Sequence, residues 1–499
     1  MFHKLNYKVI LQLLGVLLTF NGGLMLLAVG MSWMTQDQAT QQLLTAAVSV
    51  LLLGLFLLIA FREAQPQIQK REGYLVVSLG WLVMTLTGML PYLMTDSVPS
   101  ISHAFFETMS GYTTTGATIF DDIESLPKGL LFWRSITHWI GGMGIIVLTI
   151  AILPILGIGG MQLFAAEVPG PNSDKLHPRI TDTAKRLWLL YFGYTLAETL
   201  LLWFAGMSFF DAINHAMSTL STGGFSTKNN SIAFWNDQPL IQYIILFFML
   251  VAGTNFVLSY FGFTGNFRKI FKDIEFQYYL WFIGLFTLFV TSVLLLHTTA
   301  PGASTTHPQL WGQAESTFRH SLFQVVAIIT TTGFVTADFT AWAPLLTLTF
   351  FGLMFVGGSA GSTSGGIKVV RHLLMIRSGI LEFKRALHPN AILQVRYNNR
   401  VVSEGIVQNI LGFFILYLLS FIIGTLGFAM MGFDFESSVG VAASSLGNVG
   451  PALGVFGPVE NYTALPSIGL WWSSFLMLLG RLELFTVLIL LTPFFWRKN

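Results

Sequence analysis

Long apolar stretches recur from one end of this chain to the other, and they limit what it can fold into. Ten are found in 499 residues, near 8–30, 42–62, 71–94, 130–156, 185–207, 238–262, 277–297, 344–374, 404–431 and 467–493. A hydrocarbon core takes roughly 20 apolar residues per spanning helix. Only 10% of the residues are charged and mean hydropathy is +0.67. The expectation is therefore a polytopic membrane protein, not the roughly three soluble domains that this length would otherwise suggest. The first stretch follows Lys4 and Lys8 and has no convincing small-residue cleavage site before Met31, so it is read as a retained helix. The absence of cysteine excludes disulfides, thiolate metal sites and Cys nucleophiles. A net charge of +2 implies no nucleic-acid partner.

Charge placement gives an orientation. With the N-terminus inside, the inner segments carry Lys4, Lys8, Arg62, Lys70, Arg71, Lys175, Arg179, Lys185, Arg186, Arg268, Lys269 and Lys272. They also carry Lys368, Arg371, Arg377, Lys384, Arg385, Arg396, Arg400, Arg497 and Lys498. The outer segments hold Lys128, Arg134, Lys228 and Arg319, and Arg481 is left within the last stretch. This bias follows the positive-inside rule and predicts both termini in the cytoplasm of a multi-pass protein.

Four related strings lie between the apolar stretches: "HAFFETMSGYTTTG" (103–116), "DAINHAMSTLSTGG" (211–224), "HSLFQVVAIITTTG" (320–333) and "SSVGVAASSLGNVG" (437–450). Their last glycines are 108, 109 and 117 residues apart. Each opens on a polar residue suited to a helix start (His103, Asp211, His320, Ser437). Each continues for about ten small or apolar residues, too few to cross a bilayer. A glycine recurs in the following stretch at Gly142, Gly253, Gly358 and Gly480. Non-helical backbone at membrane depth survives only in protein or along a watery path. The fold class predicted is all-α integral membrane: ten transmembrane helices plus four re-entrant pore helices, in fourfold pseudo-symmetric helix–pore loop–helix repeats around a central pore. The boundaries are two extra N-terminal helices (1–66), then repeats at 71–156, 185–262, 277–374 and 404–493. Helix C-termini aimed inward carry partial negative charge and favour a cation. Glycine lets carbonyls turn toward it, and hydroxyls add uncharged oxygens. No carboxylate rings the segments, which argues against a divalent-ion site.

Together with "FFETMSGYTTTGAT", the stretches "WIGGMGIIVLTIAILPILGIGGMQL", "PGP", "LSTGGFST", "GGSAGSTSGGIKVVR", "HPNA" and "GRLELFTVL" make the whole chain resemble the Trk/Ktr/HKT superfamily of potassium transporters. Within it the match is to the bacterial Trk-type transmembrane subunit, which has the two extra N-terminal helices. The resemblance implies a selectivity filter for K⁺, the transported ion, with no organic cofactor. Its four segments are Thr114, Thr115, Gly116 and Ala117; Thr222, Gly223, Gly224 and Phe225; Thr331, Thr332, Gly333 and Phe334; and Asn448, Val449, Gly450 and Pro451. Glycine at the filter position of all four units goes with potassium preference, and serine in the first goes with sodium in plant relatives. The fourth unit departs from Thr-Gly with "NVGPALG", which implies weaker caging on that side and a less strict K⁺/Na⁺ discrimination. A homodimer with one pore per protomer and a cytosolic, TrkA-like ring of nucleotide- and NAD-binding regulatory subunits are also implied. No motif in this chain binds a nucleotide. The basic segments 268–272 and 368–400 suit docking to a soluble partner.

Two further features concern gating. "GGSAGSTSGGIK" (357–368), with Gly357, Gly358, Ser359, Gly361, Gly365 and Gly366, interrupts the eighth stretch. It is either an intramembrane gate, as the family implies, or a packing-driven helix break; each glycine costs a helix roughly 1 kcal/mol against alanine. The G-x-S-x-G around Ser359 would serve a polytopic membrane enzyme only at a strand-to-helix turn, a context absent here. Arg481 is expected to sit where Met143, Thr254 and Ser359 sit in the other repeats and to act as a barrier below the filter. The other reading pairs it with Glu483 or Glu198. A central arginine costs roughly 2.5–3.5 kcal/mol to insert, so it should face protein or water. Glu107 is read as a pore-helix anchor or an ion ligand. His103, His138, His215 and His320 are read as capping and packing residues, since no pair has an HExxH spacing. Asn461-Tyr462-Thr463 matches a glycosylation sequon to which no role is given.

Overall fold

The computed structural model describes residues 5–63, 70–147, 180–296, 310–391, 393–398 and 400–497. "PGP", Lys175, Arg179 and most of the stretch that follows Gly144 lie outside the described residues.

The first two helices, Tyr7–Thr35 and Thr40–Ala60, form an antiparallel hairpin. Glycine makes the close approach possible: a Cβ on Gly54 would fall 2.5 Å from the Thr19 nitrogen. Apolar side chains on the free face, such as Leu52, Phe56 and Ile59, are exposed, as befits a lipid-facing surface. The hairpin is tied to the remainder by polar contacts. Asp37 accepts from Gly129 N at 2.8 Å, and Asn21 accepts from the Tyr112 hydroxyl at 2.6 Å.

Four short helices follow, Ile101–Tyr112, Phe209–Leu220, Gln313–Ile329 and Phe435–Gly447. The first packs on both Lys128–Val147 and Ser467–Arg481, so the last unit closes against the first. Their starts differ from the expected ones. Ser208 and Asp434 cap the second and fourth, accepting from Asp211 N at 3.0 Å and Ser437 N at 3.2 Å. The third begins at Gln313, well before His320. In the second and fourth helices the capping oxygen lies upstream of the repeat's visible edge, and Ser100 and Gly312 precede the first and third without a side-chain cap.

Two expected straight spans are bent. Pro239–Ala252 and Phe256–Phe263 meet at 112°, as do Ser467–Arg481 and Phe485–Leu491. Asn255 starts the second half of the first pair by accepting from Val257 N at 2.8 Å. A third stretch is interrupted between Pro344–Leu353 and Val369–Leu387. Among the described residues six helices are long and apolar enough to cross a membrane, and eight if each bent pair counts once. The fold is also not purely helical. Arg396–Tyr397 and Arg400–Val401 pair as an antiparallel hairpin. Its turn uses Asn398 at φ 45°, a conformation asparagine tolerates well.

Replacing Gly54 with leucine should force the first two helices apart and cost about 1–3 kcal/mol. A fluorescence melt of the detergent-solubilised protein checks this: an unchanged melting temperature would contradict the close packing described.

Candidate functional site

Each short helix ends in the same way. The residue two before the repeat glycine takes a left-handed conformation: Thr114 at φ 52°, and Thr222, Thr331 and Asn448 each at φ 55°. The next residue's N–H then turns back to the helix. Thr115 donates to Ser110 O at 2.9 Å, Gly223 to Ser218 O at 2.8 Å, Thr332 to Ala327 O at 2.8 Å and Val449 to Ser444 O at 3.0 Å. This is a Schellman-type closure, with threonine or asparagine in the place glycine usually holds. Such a conformation costs a β-branched residue roughly 1–2 kcal/mol, and asparagine less. "NVG" therefore keeps the left-handed turn and closing hydrogen bond of "TTG" despite its different letters. Asn448 Nδ2 also reaches Thr115 Oγ1 at 3.0 Å and Met477 O at 2.9 Å, joining the fourth segment to the first.

The four glycines then close a ring. A Cβ on Gly116 would collide with Gly223 O, one on Gly224 with Thr332 O, one on Gly333 with Val449 O and one on Gly450 with Thr115 O. Segment one thus abuts two, two abuts three, three abuts four, and four returns to one. Positive φ at all four glycines adds a second reason for the residue. The carbonyls of Thr114, Thr115, Thr222, Gly223, Thr331, Thr332, Asn448 and Val449 lie in this buried ring and accept no hydrogen bond from the described protein. Buried main-chain carbonyls are nearly always paired, so eight unpaired ones around one axis call for water or a cation.

Polar straps hold these segments from behind. Glu107 accepts from Thr118 Oγ1 at 3.1 Å, Ile119 N at 3.0 Å and Arg134 Nε at 2.9 Å. Arg134 also donates to Ser226 O at 3.3 Å, and its guanidinium lies 4.1 Å from the Phe225 ring centre. His138 stacks on that same ring at 3.9 Å. In the second unit His215 bonds Ser226 Oγ at 3.0 Å, and in the third Gln324 donates to Thr336 Oγ1 at 3.2 Å. Glu107, His215 and Gln324 occupy one repeat position, nine residues before the glycine. Glu107 is thus an anchor, its carboxylate engaged by protein donors. No group of three His, Asp or Glu that could hold a metal ion occurs among the described residues.

The 354–368 segment runs beneath the ring and is tied to several units. Gly365 N donates to Thr331 Oγ1 at 2.7 Å, and Thr363 Oγ1 donates to Leu220 O at 3.0 Å. Ser359 N donates to Gly253 O at 2.8 Å, and Ala360 N to Glu275 Oε1 at 2.6 Å. Gly361 and Gly366 have positive φ. Arg481 is buried and donates to Thr363 O at 2.8 Å and Gly141 O at 2.9 Å, so it clamps this segment to the first unit. Neither proposed acidic partner is used, since Glu483 pairs instead with Arg371. The expected register is also off by one. Gly480 and Gly141 both abut the carbonyl four residues before the filter glycine, at Leu446 and Tyr112. Arg481 therefore matches Gly142, not Met143.

The family model for TrkH, described as a cation transport protein, matches residues 39–498. The chain belongs to the TrkH family. The Trk system potassium uptake protein TrkH of Escherichia coli (strain K12) is 41% identical, over 99% of this chain and 100% of that protein. TrkG of the same strain is 36% identical over 88% of each. The crystal structure of the potassium transporter TrkH from Vibrio parahaemolyticus superposes with a TM-score of 0.88 at 36% identity, covering 99% of this chain and 100% of that one. The relatives are named as potassium uptake proteins, a family of transporters and not of enzymes. Sequence reasoning missed two residues of this TrkH-family site. Arg134 was counted only as an outer charge, although an arginine four residues before His138 in an apolar stretch was a usable signal. Tyr462, which bonds Gly450 O at 2.7 Å, gave none.

Replacing Glu107 with glutamine should strand a buried Arg134 and cost about 3–5 kcal/mol. Melting temperature together with ion competition in uptake checks this. A lower melting point with unchanged competition is expected; a changed ion preference at unchanged stability would make Glu107 an ion ligand instead.

Proposed function

We propose that this chain carries K⁺ inward across a bacterial inner membrane through a four-segment carbonyl filter. The observation that carries this reading is the closed ring of glycines and buried, unpaired carbonyls. Potassium is chosen over other monovalent ions because the relatives named above are potassium uptake proteins and glycine stands in all four filter positions. The four repeats keep the boundaries 71–156, 185–262, 277–374 and 404–493, ten crossings leave both termini in the cytoplasm, and the first two helices flank the pore. At about 100 mV, inside negative, one K⁺ moving inward gains roughly 2.3 kcal/mol, so this chain needs no hydrolytic site. The segment around Gly357, Gly358, Ser359, Gly361, Gly365 and Gly366 is the gate, and Arg481 is its electrostatic barrier and latch. Opening breaks the bonds from Arg481 to Thr363 and from Gly365 to Thr331. The working assembly is a homodimer beside a cytosolic TrkA-like ring, which docks on the basic 368–400 region.

Uptake of ⁸⁶Rb⁺ into proteoliposomes tests this. Excess K⁺ should suppress it far more strongly than Na⁺. Gly116→Ser should relax that preference by driving a Cβ into Gly223 O, and Arg481→Ala should raise flux several-fold by removing charge and latch together. If neither substitution alters cation flux, the pore reading fails.

A further inference from the structure

The carbonyl inventory has one irregularity. At the level of the filter glycine, the carbonyls of Gly116, Gly224 and Gly333 accept no hydrogen bond from the described protein. Gly450 O accepts two: from Ser444 Oγ at 2.8 Å and from the Tyr462 hydroxyl at 2.7 Å. A carbonyl oxygen has two lone pairs, and both are used here. The backbone follows suit, with φ 100° at Gly450 against 72–84° at the other three.

Both donors sit behind the segment. Ser444 belongs to the fourth short helix, six residues before the glycine. The corresponding Ser110 and Ser218 are also serines, yet neither reaches its own unit's glycine carbonyl. The difference is Tyr462. Its ring is buried between Phe106 and Phe456, with centroids at 5.5 and 5.3 Å, and its N–H donates to Thr118 O at 2.8 Å. The phenol is therefore fixed in place by the first unit as well as the fourth.

We infer that the fourth segment withholds its glycine carbonyl from the ion path, and that Tyr462, with Ser444, is the positioning residue that holds it back. This rests on the pore reading above. The ligand ring at the glycine level is then three-sided, while the two rows beneath it, from Thr114 and Thr115 and their equivalents, stay four-sided. Discrimination between K⁺ and Na⁺ depends on the number and field strength of the coordinating carbonyls. A missing ligand lowers that discrimination, and returning it raises it. The origin of a less strict filter is thus a pair of hydroxyls outside "NVGP" that hold back the Gly450 carbonyl, not the asparagine and valine side chains of that stretch.

The test is ⁸⁶Rb⁺ uptake in proteoliposomes, read as the ratio of the Na⁺ and K⁺ concentrations that halve it. The double variant Tyr462→Phe with Ser444→Ala should raise this ratio at least about threefold over the parent, and each single substitution should move it the same way. Ser444→Thr, which keeps the hydroxyl, should hold the parent ratio. A purely structural role would lower flux for all ions and leave the ratio alone. An unchanged or lowered ratio in both singles and the double overturns the inference. Gly116→Ala in the same assay separates the two claims. If it disturbs uptake while the Tyr462 and Ser444 variants keep the parent ratio, the inference alone falls. If it changes nothing, the pore reading falls first.

Discussion

The centre of this fold carries a cost: eight buried carbonyls that no donor among the described residues satisfies. An unpaired buried polar group costs roughly 1–3 kcal/mol, so their sum would be prohibitive without a compensating ligand. The fold meets this by aiming four helix C-termini, with their partial negative charge, at the same axis. It then places a glycine of each segment against a carbonyl of the next, leaving no room for a side chain. In the pore reading proposed above, a dehydrated monovalent cation on that axis is the partner these carbonyl oxygens lack.

The ring is pseudo-symmetric, and its supports are not. Three units brace the filter from one repeat position with Glu107, His215 and Gln324, while the fourth has Val441 there. Its bracing comes from Tyr462, on the segment that leads into the last long helix. The buried Glu107–Arg134 pair has no counterpart at the same repeat positions among the described residues, where His215, Gln324 and Val441 replace the glutamate. It crosses from the first segment to the second and adds a charge-assisted bond to Ser226 O. The segment beneath the ring is asymmetric too, since only the third unit supplies it. Its bonds to Thr331, Leu220, Gly253 and Arg481 reach units two, three and four, so moving it perturbs most of the ring at once.

The glycine ring was legible in the sequence because its requirements are local. Positive φ combined with a neighbour's carbonyl where a Cβ would sit demands glycine, and a repeat of glycines at near-constant spacing reads directly from the letters. The supports were less legible because they are spatial. Glu107 meets Arg134 across 27 residues, and Tyr462 reaches back to Gly450 from a loop that looked like a sequon. The helix bends were hidden because apolar composition runs on past them. Hydropathy alone does not show that Asn255 restarts a helix or that Leu484 sits at φ 62°. The one-residue error at Arg481 arose from aligning glycines by letter: Gly480 matches Gly141 by what it touches, not Gly142.

The most direct check on the central claim is anomalous diffraction from crystals soaked in Rb⁺ or Tl⁺. This account predicts peaks on the axis between the carbonyl rows of Thr114, Thr222, Thr331 and Asn448 and of Thr115, Gly223, Thr332 and Val449. Saturating ion with no peak there, or with peaks only off the axis, would contradict it.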